Sequence, residues 1–168
     1  MSAAASPNTL TQIRLVAFDV DGVFTDGRFY LSDAGIESKS FNTQDGYGIR
    51  RLIDNDIAVA VISGRESAAV SSRMKELGVT HVIQGCKDKV AALHKLAAEL
   101  GVSVTECAYV GDDIPDLPIL QTAGYAIAVA NAVNEVQQTC DYTTTAIGGH
   151  GAVREVCELV LAAHSGTR

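Results

Sequence analysis

The sequence predicts an α/β fold, a Rossmann-like three-layer sandwich with a central parallel sheet and a protruding β-hairpin. Three observations lead to it. Short apolar runs rich in Val, Ile and Ala alternate with segments whose apolar residues recur at helical spacing, the pattern of buried parallel strands joined by crossover helices. Several of these runs end abruptly in acids or in Ser-Gly, as strands do at the ligand-binding edge of an open sheet. Apolar residues make up 47% and charged residues 20% of 168 positions, which fits one domain with an ordinary core, read as residues 1–168 with 1–10 flexible.

Leu15 to Val20 is the first strand, and it runs into Asp19 and Asp21 with Gly22 next. Arg28–Leu31 and Ile36–Phe41 flank Ser32-Asp33-Ala34-Gly35 as a hairpin, Gly35 supplying a positive φ. Phe29, Tyr30, Leu31, Ile36 and Phe41 are many large apolar groups for two strands, so a further surface, such as another subunit, is expected to cover them. Asp45 is the expected cap of a helix carrying Ile49, Leu52 and Ile53. Ile57–Ile62 is a second strand ending in Ser63-Gly64-Arg65, Glu66–Leu77 a helix stopped by Gly78, and His81–Gln84 a short strand. Lys87–Leu100 is a helix closed by Gly101, and Cys107–Val110 a strand that enters Gly111-Asp112-Asp113-Ile114-Pro115-Asp116. Pro115 suits the first turn of the next helix. Tyr125–Val129, Val133–Gln138 and Tyr142–Thr144 read as strand, helix and strand, and Gly148-Gly149-His150-Gly151 precedes a last helix with Val153, Val156, Leu159 and Val160 on one side.

A net charge of −7 argues against nucleic acid as a partner, since a phosphate backbone requires a basic footprint. No apolar run is long enough to span a bilayer, and Met1 to Thr9 lacks the basic start and apolar stretch of a secretory signal. The four cysteines, Cys86, Cys107, Cys140 and Cys157, are scattered without metal-ligand spacing, which predicts reduced packing residues in a cytoplasmic protein.

Two carboxylates in apolar surroundings cost free energy unless a cation, a proton or hydrogen bonds compensate them, and a divalent metal is the first expectation for Asp19 and Asp21. Because all strands of a parallel sheet end on one edge, Asp19 with Asp21, Ser63 with Gly64, Lys89, and Asp112 with its neighbours are predicted to converge on one crevice. Singly each has an ordinary role as a turn, a cap or a solvated lysine. Together they supply what metal-assisted phosphoryl transfer needs: carboxylates for a metal and for attack, a hydroxyl and an N–H for phosphate oxygens, and a fixed cation.

Asp19-Val20-Asp21-Gly22-Val23-Phe24-Thr25, Ile62-Ser63-Gly64-Arg65, Asp88-Lys89 and Gly111-Asp112-Asp113-Ile114-Pro115-Asp116 resemble the four motifs of the haloacid dehalogenase superfamily. From about Ile13 to Leu161 the chain is most similar to the small, capless 3-deoxy-D-manno-octulosonate 8-phosphate phosphatases, which act in making the inner-core sugar of lipopolysaccharide. Asn42-Thr43-Gln44-Asp45-Gly46-Tyr47-Gly48 and Gly148-Gly149-His150-Gly151-Ala152-Val153-Arg154-Glu155 match that group too. The resemblance implies Asp19 as nucleophile, Asp21 as acid and base, and magnesium held by the Asp19 and Asp112 carboxylates and the Asp21 carbonyl. Asp113 or Asp116 would orient Lys89 or metal-bound waters. It further implies that Ser63, the Gly64 N–H and Lys89 hold the phosphoryl oxygens and that Arg65 meets the sugar carboxylate. Thr25, Gln44 and His150 are the remaining expected contacts to a small anionic sugar phosphate.

Capless relatives form tetramers in which hairpins pack together and a neighbour closes the site, so a homotetramer is expected. Gln44, His150 and Glu66 stand where the family is often basic, which leaves the sugar more open than the chemistry. A nine-carbon, sialic-acid-like 9-phosphate is the nearest competing substrate. A receiver-type signalling domain and a non-catalytic assembly subunit are the rivals of other classes.

Overall fold

A computed structural model of the chain describes residues 10–166. The flexible start expected for residues 1–10 therefore lies outside the described residues, except that Leu10 opens a 3-10 turn, Leu10–Gln12. Along the chain follow β1 (Leu15–Phe18), the ribbon strands β2 (Tyr30–Leu31) and β3 (Glu37–Ser38), α1 (Thr43–Asp54), β4 (Ala58–Ile62), α2 (Ala68–Leu77), β5 (His81–Ile83) and α3 (Lys89–Leu100). Then come β6 (Cys107–Gly111), α4 (Leu117–Thr122), β7 (Tyr125–Ala128), α5 (Asn134–Thr139), β8 (Tyr142–Thr143) and α6 (Ala152–Ser165).

One six-stranded sheet in the order β5-β4-β1-β6-β7-β8 is parallel throughout. The chain moves outward from β1 to β4 and β5, then crosses back to β6 and continues the other way. With right-handed crossovers, that reversal sends α1 and α2 to one face and α3, α4 and α5 to the other. The contacts agree: α1 touches α2 and α6, whereas α3 touches α4, which touches α5. The reversal point lies between β1 and β6, where a doubly wound sheet opens a crevice beyond its strand ends.

β1 and β4 stop where their apolar runs stop. All of β1 and β6 is buried, and Phe18 pairs with Val110; the chain leaves the sheet after Phe18 on β1 and one residue further along on β6, where Gly111 still pairs with Ala128 of β7. Phe24 returns the chain after β1 to the core, meeting Phe18 edge to face at 5.4 Å between ring centres. In the ribbon Gly35 has φ +76°, and Tyr30, Leu31 and Ile36 project into solvent.

One cap differs from expectation. Asn42, not Asp45, caps α1, its side chain accepting from the N–H groups of Gln44 and Asp45. Asp45 is instead buried within the first turn and accepts at 2.9 Å from the Arg154 N–H, capping α6 from another helix because Gly151 at that position has no side chain to do so. Gly46 and Gly48 let this end of α1 approach closely: a Cβ at Gly46 would meet the Arg73 guanidinium at 2.4 Å and one at Gly48 would meet Arg154 Cδ at 3.0 Å.

Candidate active site

Asp19 follows β1, and its N–H donates to the Val110 carbonyl at 2.9 Å, so the ladder fixes the residue up to the Cα. Asp112 stands at the matching place after β6. Each offers a carboxylate oxygen within 4.8 Å of the other and of Asp116. The Asp112 carboxylate lies over Gly22, whose φ is +83°; a Cβ there would be 2.0 Å from Asp112 Oδ2, so the turn after the first acids has to be glycine.

Lys89 is the first residue of α3, capped by Asp88. A cation at a helix N-terminus opposes the dipole, and this one is also 9% exposed. It is held by anions: its ammonium lies 2.7 Å from Asp116 Oδ1 and 3.2 Å from Asp19 Oδ1, with the Tyr109 hydroxyl at 3.1 Å. Burial pushes the Lys89 pKa down, but the Asp19 and Asp116 charges outweigh it and leave the ammonium more firmly protonated than usual.

Burial and the Asp116 charge push Asp19 up to about 6 against the pull of Lys89. Burial, with Asp19, Asp116 and Asp113 nearby, pushes Asp112 to about 7. These carboxylates repel one another in a partly desolvated place, and that repulsion is relieved by a proton or a cation. The donors are hard oxygens, so the residues fit magnesium.

Although Asp116 shares the triangle, its lone pairs are already occupied. Oδ1 faces Lys89 and Tyr109, and Oδ2 accepts from the N–H groups of Asp112 and Asp113 at 3.1 and 3.4 Å. Asp116 thus orients Lys89 and braces the loop that presents Asp112, which leaves Asp19 and Asp112 as the available pair. Asp113 is exposed and caps the 3-10 turn Ile114–Asp116, accepting from the Ile114 N–H at 2.8 Å.

Ser63 and Gly64 follow β4 and line the same cavity of about 550 Å³ as Asp19, Asp21, Lys89 and Asp112. Ser63 is held on both sides, donating to the Ile83 carbonyl and accepting from the Cys86 N–H, each at 2.9 Å. Arg65 also lines the cavity, half exposed. Its Nη2 lies 2.5 Å from Glu37 Oε2, its Nε 3.7 Å from Asp21 Oδ2, and its guanidinium 4.4 Å from the centre of the Phe29 ring.

Three expected substrate contacts lie outside this lining. Thr25 is 1% exposed, and its hydroxyl accepts from the N–H groups of Gly22 and Gly27 at 3.3 and 3.1 Å, closing the turn that carries Asp21. Gln44 is exposed in the first turn of α1, and His150 is exposed in the Gly-rich loop. Glu66 precedes Ser67, the cap of α2, and so lies before the helix rather than in its first turn.

Sequence reasoning passed over three further residues. Tyr109 sits fully buried at the centre of the sheet and brings a hydroxyl beneath Lys89. Its only signal was a polar tip in a run otherwise apolar. Asn131 ties the acidic loop to the Gly-rich loop, donating to the Gly22 carbonyl at 3.0 Å and accepting from the Gly148 N–H at 2.6 Å, with no signal in the sequence. Lys39 on the ribbon reaches Asp21 Oδ1 at 2.5 Å. The alternation that puts Glu37 and Lys39 on one side of a strand was legible, but not what that side faces.

A family model described as haloacid dehalogenase-like hydrolase matches residues 80–155. The 3-deoxy-D-manno-octulosonate 8-phosphate phosphatase of Yersinia pestis is 47% identical over 151 residues, covering 90% of this chain and 81% of the relative. Its fold is matched by the crystal structure of the Yersinia pestis phosphatase with a TM-score of 0.93 at 44% identity, covering 98% of this chain and 89% of that one. A second structure is that of the Moraxella catarrhalis phosphatase in complex with magnesium ion, phosphate ion and KDO. It gives a TM-score of 0.92 at 46% identity, covering 95% of this chain and 92% of that one. On these similarities the chain belongs to the 3-deoxy-D-manno-octulosonate 8-phosphate phosphatase family of haloacid dehalogenase-like hydrolases.

Proposed function

We propose that this protein is a magnesium-dependent phosphatase that hydrolyses 3-deoxy-D-manno-octulosonate 8-phosphate. The observation that carries the reading is the grouping of Asp19, Asp112 and Lys89 on the floor of one cavity, in a chain of this family. Asp19 and Asp112, with the Asp21 backbone carbonyl, would hold the magnesium ion. When bound, it offsets the repulsion between an anionic carboxylate and an anionic phosphate ester.

Asp19 attacks phosphorus, forming a bond from its carboxylate oxygen as the bond to the sugar oxygen breaks. Asp21 gives that leaving oxygen a proton. Water then attacks the phosphorus of the aspartyl phosphate, Asp21 takes the proton back, and inorganic phosphate leaves with Asp19 restored. Ser63, the Gly64 N–H and Lys89 bind the phosphoryl oxygens, and Lys89 is held for this by Asp116. Arg65 meets the sugar carboxylate with its planar fork. The receiver-type alternative is disfavoured because β4, the strand after α1, carries no acid.

We read the whole chain as one phosphatase domain, since the described residues surround one sheet. A homotetramer is supported by the ribbon, where Tyr30, Leu31 and Ile36 are each about two-thirds exposed or more. Gln44 and His150 would then reach a substrate from their own or a neighbouring subunit. A cytoplasmic setting is supported by four free cysteines; no helix of the described residues is long and apolar enough to cross a membrane. The test is phosphate release from a panel of eight- and nine-carbon keto-acid phosphates with hexose phosphates as controls. The eight-carbon acid is expected to be preferred, and preference for a hexose phosphate overturns the reading.

A further inference from the structure

Lys39 stands on a ribbon whose large apolar side chains face solvent, yet its own side chain is 1% exposed. Its ammonium lies 2.5 Å from Asp21 Oδ1, 3.3 Å from Glu37 Oε1 and 5.3 Å from the centre of the Phe29 ring. A lysine that only decorated an exposed ribbon would extend its ammonium into water, because desolvating it costs free energy that anions alone restore. Here the chain turns it inward. Glu37, one alternation earlier on the same side of the ribbon, points inward too and holds Arg65.

Four charged groups from three segments therefore form a connected chain, Asp21 to Lys39 to Glu37 to Arg65. Burial alone would raise the Glu37 pKa; its contacts to Arg65, Ser67 and Lys39 outweigh that and lower it. Among the described residues, the side chains that reach the Asp21 carboxylate are Lys39 on Oδ1 and Arg65, more distantly, on Oδ2. The backbone of Asp21 is fixed by the turn that Thr25 closes, but its side-chain direction depends on these two cations, and the nearer comes from the ribbon.

We propose that Lys39 is a positioning residue that holds the Asp21 carboxyl toward the leaving oxygen of the substrate, so that the ribbon takes part in the proton transfer. The proposal rests on the reading of Asp21 as acid and base. Its consequence depends on the leaving group. In the first half-reaction a sugar alkoxide needs the Asp21 proton to depart, whereas p-nitrophenolate leaves largely unaided, so misaiming Asp21 slows leaving-group release from the first and spares it from the second; hydrolysis of the aspartyl phosphate, with Asp21 as base, is common to both.

The experiment measures the single-turnover rate of leaving-group release, with the magnesium-loaded protein in excess, from 3-deoxy-D-manno-octulosonate 8-phosphate and from p-nitrophenyl phosphate. The variants are Lys39→Met, Lys39→Gln, Lys39→Arg, Asp21→Asn and the double variant with Lys39→Met and Asp21→Asn. Lys39→Met and Lys39→Gln are expected to slow leaving-group release from the sugar phosphate by about tenfold or more and from the aryl phosphate by less than about threefold. Lys39→Arg is expected to restore most of the loss, and Lys39→Met to add little once Asp21 is Asn. Equal losses on both substrates, or full additivity with Asp21→Asn, overturn the proposal, since a purely structural lysine behaves that way. If Asp21→Asn itself slows leaving-group release from both substrates equally, the reading of Asp21 fails first.

Discussion

The Lys89 ammonium and the Asp116 carboxylate meet at 2.7 Å beside Asp19, both nearly excluded from solvent and both braced by the Tyr109 hydroxyl. Because Asp116 also accepts from two N–H groups of the loop bearing Asp112, one side chain aims Lys89, the proposed phosphate-binding cation, and shapes the place of Asp112, the proposed metal ligand. Asp116→Ala leaves Lys89 with Asp19 as its remaining close anion and two loop N–H groups without their acceptor. Chemical denaturation without metal is expected to find a loss of about 3 kcal/mol, within the range for breaking a buried ion pair, with KM for the phosphate ester raised. An unchanged denaturation midpoint would count against this double role.

On the proposed mechanism, Asp19→Asn removes the attacking oxyanion while preserving the shape of a side chain between β1 and the cavity. Turnover is expected to fall by roughly four orders of magnitude or more, with thermal stability kept or raised because one of three repelling carboxylates is gone. Phosphate release by a pure, folded sample at the native rate would remove Asp19 from the chemistry.

Asp19 and Asp112 titrate at about 6 and about 7, above the ordinary aspartate value of 3.8. In protein stripped of metal by a chelator, the native state therefore holds more protons than the unfolded chain between about pH 4 and pH 7. The contribution of these groups to stability falls as pH rises through that window, and their repulsion is complete by about pH 8. Magnesium relieves the repulsion where it is greatest and competes with protons where it is least. Scanning fluorimetry is expected to find a larger magnesium-induced rise in Tm at about pH 8 than at about pH 5.5. The reverse order would contradict the raised values.

Gly148 presses the C-terminal loop onto the acidic loop so closely that a Cβ there would lie 1.9 Å from the Gly22 carbonyl and 2.6 Å from the Thr25 carbonyl. Both neighbours are backbone and neither has room to yield. Gly148→Ala is expected to destabilise the protein by about 1–3 kcal/mol and to lower kcat, because the shift passes to the turn carrying Asp19 and Asp21. Gly101→Ala is a control for a positive-φ glycine at the far end of α3 from Lys89: its Cβ meets nothing within 4 Å, so kcat should hold while Tm falls slightly.

The elements were legible because their signals are local. Apolar runs of strand length, Gly78 and Gly101 as left-handed helix stops, and acids directly after β1 and β6 all act within a few residues. The convergence of Asp19, Ser63, Lys89 and Asp112 was legible as well, since parallel strands must end on a common edge. Boundaries were less so: Asn42 displaced Asp45 as the cap of α1, because the carboxylate of Asp45 serves a helix more than a hundred residues away.

Sequence by itself thus determined the layered parallel fold and the grouping of Asp19, Ser63, Lys89 and Asp112 at one cavity, through periodicity and through motif order. Only the tertiary structure decided which neighbour each group keeps. It gave Lys89 to Asp116 rather than Asp113, Thr25 to the turn rather than the cavity, and Asp21 to Lys39 on the ribbon. The physical reason is that charge pairing depends on separations of a few ångströms between residues distant in the chain. Local pattern sets which face of an element a side chain occupies, and the folded packing alone sets what lies opposite that face.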